Sequence, residues 1–413
     1  MAQVHGYCDP RFTKVRDLMS QFLASGQEIG ASFCVNLDGT TIIDLWGGFF
    51  PNSPSSTSTF DPLSSNKSGG DPIPWSEHTV VPIFSTTKLV TNLAILMLFS
   101  RGLAHPSDTV AKHWPAFAAA GKQDITIAQV LSHSAGVPGW TKETLLEQVL
   151  FCHDEVASRL AAQEPWWDPG TKIAYHAITQ GVIVAEIVRQ LTGKSLAKFV
   201  QEELAGPLDA DFSLGAPEDG DERKRVVSSM IPPEGIPIQE TLAARIGAGT
   251  VAWRVLFNPF IDGETANSDI WKKGTAGSLS GYSNARGLVR ILGCFALGGR
   301  AAENLEKQVL RPEFLDAIFK EYSCGEDLVT GGKTSQGLGV YLSNRNTSIK
   351  GRLPEGKVAW GAGWGGSAVL MDADRGLTIG YAMNKMRNEN FGSPCPRAYF
   401  AAVYEALGVN IDE

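Results

Sequence analysis

Ser85-Thr86-Thr87-Lys88 stands immediately before the apolar run Leu89 to Phe99. In a helix that begins near Ser85, the residue three positions on returns to the same face, so the lysine amine can reach the serine hydroxyl. A serine hydroxyl is nearly inert at neutral pH. An amine desolvated by apolar surroundings sheds its proton and helps to remove the hydroxyl proton, and the pair becomes a nucleophile. The N–H groups and dipole of the helix start favour the negative charge that builds when an acyl carbonyl is attacked. The competing use of the same residues is a helix cap with a snorkelling lysine. The spacing recurs at Ser64 to Lys67, in a Ser/Gly/Pro-rich stretch, and at Ser195 to Lys198, a helix start with a solvated lysine. Neither has the apolar setting of the first.

Tyr175 is the second reactive candidate. It follows Trp166-Trp167-Asp168-Pro169-Gly170 and precedes an apolar helix from Ile178 to Leu191, an arrangement that presents it at a helix entry. Beside a lysine ammonium a phenol becomes accessible as a general base; the alternative is a buried tyrosine donating to a carbonyl. His176 adjoins it, but the chain has no Gly-x-Ser-x-Gly elbow to make that histidine a triad base. The third element is Trp360-Gly361-Ala362-Gly363-Trp364-Gly365-Gly366-Ser367. Glycines at a strand edge let main-chain N–H groups face a substrate and supply half of an oxyanion hole, with the Ser85 N–H as the other half; a plain β-bulge explains the same composition.

These residues need a frame. Phe12, Val15, Leu18, Met19, Phe22 and Leu23 recur at helical spacing, and the strand-like runs Ala31 to Leu37 and Thr41 to Trp46 are joined by Asp38-Gly39, a good hairpin turn. Near the other end, Lys357 to Gly361, Ser367 to Met371 and Leu377 to Met383 read as strands, followed by a helix from about Arg397 to Leu407. The two ends therefore combine into one α/β domain, residues 1–84 plus 346–413, in which terminal helices cover an antiparallel sheet. Residues 85–345 read as an inserted α-rich domain, with the ligand site in the cleft between the two. Residues 51–74, rich in Ser, Thr, Pro, Gly and Asn, read as an exposed flexible loop.

The 413 residues, 43% hydrophobic, suffice for one large core or two moderate ones. A net charge of −8 and the lack of a dense Lys/Arg cluster argue against nucleic-acid partners. The N-terminal residues have no basic region followed by an apolar run, and no stretch approaches the roughly 18 apolar residues that span a bilayer. A cytoplasmic protein with no membrane partner is expected. The six cysteines are scattered, with no Cys-x-x-Cys and no His-Glu-x-x-His, so neither a metal nor any other cofactor is expected.

In order and spacing, the three elements resemble the serine β-lactamase and penicillin-binding-protein superfamily, and within it the class C β-lactamase-like branch that includes family VIII carboxylesterases. Leu131-Ser132-His133-Ser134-Ala135-Gly136-Val137-Pro138 and Asn284-Ala285-Arg286-Gly287-Leu288 add to the likeness, which spans nearly the whole chain. The resemblance implies a catalytic set of Ser85, Lys88 and Tyr175. In it Tyr175, held as phenolate by Lys88, takes the Ser85 proton, and the N–H groups of Ser85 and Trp364, at the Gly363 edge, hold the oxyanion. Trp166, Trp167, His176 and Gly365 are the pocket candidates; for the two tryptophans core packing is an equal reading.

Two departures decide the chemistry. Gly361-Ala362-Gly363 occupies the place of the superfamily's Lys-Thr-Gly, so the cation that would hold a β-lactam carboxylate is missing, and Ala177 stands where β-lactamases carry a side-chain amide. Both point to esters. The expectation is a serine carboxylic-ester hydrolase acting on a small-molecule ester or acyl donor; the alternative is an acyltransferase of a natural-product pathway with an alcohol acceptor. Behind these stand a β-lactamase or D-alanyl peptidase, and last a binding protein without catalysis. The sequence leaves the oligomeric state open.

Overall fold

The computed structural model describes residues 3–52, 71–218, 221–233, 246–344, 346–388 and 393–411. Most of the segment expected to form the 51–74 loop thus lies outside the described residues. Its end does not: Ile73–Pro74 pairs with Phe49 and Phe50 as a short strand.

A ten-stranded antiparallel sheet organises the chain. Across it run Val4–Cys8, Thr40–Phe50, Gly30–Leu37, Leu377–Met383, Ala368–Asp372, Val358–Ala362, Tyr341–Leu342, Lys333–Gln336 and Ser323–Glu326, with Ile73–Pro74 added to Thr40–Phe50. The first and last parts of the chain meet where Gly30–Leu37 pairs with Leu377–Met383 from Ala31↔Met383 to Leu37↔Leu377. The turn between the first hairpin strands places Asp38 at φ 50° and Gly39 at φ 86°, the left-handed pair that an Asp-Gly turn supplies with little strain.

Both faces of the central strands are covered, which is why all seven residues of Leu377–Met383 are buried. Side chains alternate across a strand. Phe33 and its partner Tyr381 meet Tyr399 of the C-terminal helix Pro394–Ala406, at ring separations of 5.0 and 5.8 Å. The N-terminal helix Thr13–Ala24 packs on the same layer through Phe22, 5.4 Å from Tyr399. On the opposite face Cys34 packs with Ala285 and Val289 of the helix Ala285–Leu292. Gly380, paired with Cys34, lets that helix approach so closely that a Cβ would come within 2.7 Å of the Ala285 carbonyl oxygen.

Helices dominate residues 87–200, but Ser323–Glu326, Lys333–Gln336 and Tyr341–Leu342, inside the stretch expected to be α-rich, extend the large sheet. A second sheet has four strands, ordered Phe212–Leu214, Gly281–Ser283, Thr79–Pro82, Val226–Val227. Its strand Thr79–Pro82 leads straight to Ser85. The fold is mixed α/β, with a large antiparallel sheet flanked by helices, as the sequence leads one to expect.

Candidate active site

Ser85 is placed by a reversal of chain direction. After Thr79–Pro82, Ile83 donates its N–H to the Gly281 carbonyl at 2.9 Å, and Phe84 takes a left-handed φ of 44°. Such a φ costs a non-glycine residue energy and persists only where the surroundings enforce it. Here the Phe84 ring is gripped between Trp271 and Trp364, at 5.5 and 5.3 Å. Ser85 then lies in the short 3-10 turn Phe84–Thr86, and the helix Thr87–Ser100 begins two residues later. Every residue of that helix is buried, so its sequence shows no polar stripe.

Lys88, on the first turn, is buried with its ammonium nitrogen among oxygens. Nζ lies 3.2 Å from Ser85 Oγ, 2.7 Å from the Ala177 carbonyl and 3.0 Å from the Ser278 carbonyl. No carboxylate among the described residues balances it, and burial drives its pKa well below that of an ordinary lysine. A neutral amine has two N–H donors and one lone pair. As an ammonium it donates to all three oxygens; as a neutral amine it keeps the two carbonyls and turns its lone pair to the Ser85 hydroxyl.

Tyr175 OH donates to Ser85 Oγ at 2.5 Å. The phenol is pushed above its usual range, chiefly by burial, with Asp327 adding to the shift and the Ser85 hydrogen bond opposing it. Lys88 Nζ sits over the Tyr175 ring, 4.8 Å from its centroid. The ammonium–phenolate pair implied by the resemblance is therefore disfavoured from both sides, and the burial of both groups favours neutral amine and neutral phenol.

Apart from His133, the residues that hold Tyr175 carry no motif. Asp327, fully buried, accepts N–H groups from Tyr175, Val329 and Thr330 on one oxygen, at 3.1, 2.8 and 3.1 Å. His133, at φ 58°, receives the His176 backbone N–H on Nδ1 at 3.1 Å, and its ring abuts that of Tyr175 at 5.0 Å. Ser278 supplies a carbonyl to Lys88, while its hydroxyl donates to the Ile178 carbonyl and accepts the Gly181 N–H, joining the two helices of the site. Backbone contacts of this kind leave no sequence signature. Only the Ser-His-Ser-Ala-Gly stretch flagged His133.

Gly361 and Ala362 end their strand opposite Val369 and Ala368. The turn that follows presses on the serine segment: a Cβ on Gly363 would lie 2.1 Å from the Ile83 carbonyl oxygen, and Ser367 Oγ donates to that same oxygen at 3.0 Å. The Gly363 N–H is taken by the Ser367 carbonyl. No acceptor among the described residues takes the Trp364 N–H.

The pocket candidates divide. Trp166 and Trp167 are partly exposed and pack, with Tyr175 and Ala177, against Ala174, Val255 and Val329. His176 and Gly365 are buried instead. His176 donates Nδ1–H to the Ala174 carbonyl at 2.7 Å and is held neutral, its pKa lowered by burial to about 4. Gly365, at φ 95°, sits against Met383 and Met386. Among the described residues no group of three or more His, Cys, Asp or Glu side chains could hold a metal ion, and no helix is long and apolar enough to cross a membrane.

The family model described as Beta-lactamase matches residues 15–404. The chain belongs to that family. It is 32% identical to the esterase/beta-lactamase LipL of Mycobacterium tuberculosis over 309 residues, 72% of this chain and 65% of LipL, less than two thirds of that relative's length. Its fold is similar to a family VIII carboxylesterase, with a TM-score of 0.83 and 30% identity over 98% of this chain and 100% of that one. A penicillin-binding-protein homologue from Caulobacter crescentus gives 0.80 and 28%, covering 98% and 100% of the two chains.

Proposed function

We propose that the chain hydrolyses carboxylic esters through an acyl intermediate on Ser85. The observation that carries the reading is the double contact on Ser85 Oγ, from Lys88 Nζ at 3.2 Å and Tyr175 OH at 2.5 Å. In acylation Ser85 Oγ attacks the ester carbon as Lys88 takes its proton. The Ser85 and Trp364 N–H groups carry the oxyanion. Tyr175 then protonates the departing alkoxide and recovers a proton from Lys88, so both groups return to neutrality. Deacylation repeats the sequence with water in place of serine.

Esters are favoured over β-lactams by what the third motif lacks. Gly361 offers no cation, and a Cβ there would already meet the Leu89 side chain at 2.8 Å. Ala177 contributes its carbonyl to Lys88 and has no amide side chain for a substrate.

Turnover of short aryl esters should vanish in Ser85→Ala while the thermal unfolding profile stays that of the wild type; undiminished turnover would overturn the assignment. Adding an alcohol separates the two deacylation routes. Faster release of the phenol, with the acyl group recovered as a new ester, identifies an acyltransferase, and acid as the sole product identifies a hydrolase.

A further inference from the structure

Arg254 lies on the short helix Val251–Leu256, whose Val255 packs with Ala174, Trp166 and Tyr175. Its guanidinium carbon is 3.5 Å from the centroid of the Trp166 ring, face contact for a planar cation. Stacking satisfies the faces of a guanidinium and leaves its five N–H donors, which lie in the plane, still to be partnered. Among the described residues none accepts a hydrogen bond from them.

Arg254 differs from the arginines already committed to a carboxylate. Arg189, Arg225, Arg286 and Arg375 each hold a carboxylate oxygen at 2.6–2.8 Å. Arg254 holds none, and burial lowers its pKa with no nearby carboxylate to oppose the shift. The guanidinium is partly exposed, with one face covered by Trp166, and its in-plane N–H donors can take a carboxylate in a charge-assisted, bidentate contact. The helix also packs on the apolar patch that carries Tyr175, whose hydroxyl touches Ser85. A carboxylate on Arg254 would therefore belong to the molecule whose ester lies at Ser85.

We infer that Arg254, fixed by Trp166, is a specificity site for esters bearing a free carboxylate, such as half-esters of dicarboxylic acids. The inference rests on the esterase reading above. It also gives the carboxylate a different partner than the third motif would: the guanidinium on Trp166 instead of a side chain at position 361.

The test compares kcat/KM for matched pairs within one enzyme preparation. One arm places the charge on the acyl side, with the p-nitrophenyl half-esters of adipic and suberic acids against p-nitrophenyl hexanoate and octanoate. The other places it on the alcohol side, with 4-carboxyphenyl acetate against its methyl ester. The wild type should favour the charged member by roughly tenfold in at least one arm, the size expected of a charge-assisted hydrogen-bonded contact. Arg254→Met should bring that ratio close to one, and Arg254→Lys should keep part of it. Because the readout is a ratio, a uniform loss of active protein does not move it. Absence of preference in both arms, or the same preference in Arg254→Met, overturns the carboxylate site while leaving the esterase reading intact. Failure of Ser85 to accept an acyl group from any of these esters overturns both.

Discussion

At the scale of residues, the site turns on which group holds the proton of Ser85. Burial drives Lys88 and Tyr175 each toward the neutral form, one by lowering and the other by raising its pKa. The active form then has an unprotonated amine, so kcat/KM rises with pH as Lys88 loses its proton, at a pH well below that of an ordinary lysine. Tyr175→Phe should cost about 100- to 10,000-fold in kcat, as loss of a general acid does, yet retain that acid limb. Disappearance of the limb in the pH–rate profile would instead make the phenol the group that titrates. Asp327 is a positioning residue. Asp327→Ala strands three N–H groups, that of Val329 buried and those of Tyr175 and Thr330 partly so, and should cost about 2 kcal/mol in denaturant unfolding, whereas Asp327→Asn keeps an acceptor and recovers much of it. Ser85, Lys88 and Tyr175 were legible because each carries its chemistry in a side chain at a recognisable spacing. The Ala177 and Ser278 carbonyls and the role of Asp327 were not, since a backbone acceptor can be any residue and a buried aspartate resembles a surface one.

At the scale of elements, Ser85 depends on two segments pressed together, the Phe84 turn and the Gly363 to Ser367 turn. Gly363→Ala would set a methyl carbon 2.1 Å from the Ile83 oxygen, so one segment must move. Overpacking of this kind costs about 1–3 kcal/mol. The expected result is a lowered Tm together with at least a tenfold loss of kcat; a variant with wild-type kcat would show that the contact does not place the serine. The Asp38-Gly39 hairpin and the helix after Ser85 could be read from sequence because a left-handed turn demands particular residues and a long apolar run demands burial. Ser323–Glu326 and Lys333–Gln336 could not. They are four-residue, mostly polar strands at the sheet edge, and the partner that makes them strands is supplied by tertiary pairing.

At the scale of the whole molecule, the sheet ties the two chain ends together, and a buried acid marks the seam. Glu28, 2% exposed, accepts the Tyr381 hydroxyl at 2.5 Å, and burial raises its pKa to about 7 despite that bond and the attraction of Arg387 and Lys385. The folded state keeps a proton that the unfolded chain releases near 4.5, so this residue's contribution to stability falls as pH rises from about 4.5 to about 7 and levels off above. Glu28→Gln still accepts the tyrosine hydroxyl and has nothing to ionise. It should gain on the wild type across that interval, by about 3 kcal/mol at the plateau, in urea unfolding at a series of pH values. A difference that does not change with pH would contradict the assigned burial cost.

The central claim is that Ser85 becomes acylated. An acid quench during steady-state turnover of an aryl ester, followed by intact mass measurement and peptide mapping, tests it most directly. The account predicts a mass increase of one acyl group on the peptide containing Ser85, absent in Ser85→Ala and slow to form in Lys88→Ala. Turnover at an undiminished rate with the acyl group on another residue, or with no adduct at any quench time and full activity in Ser85→Ala, would contradict it.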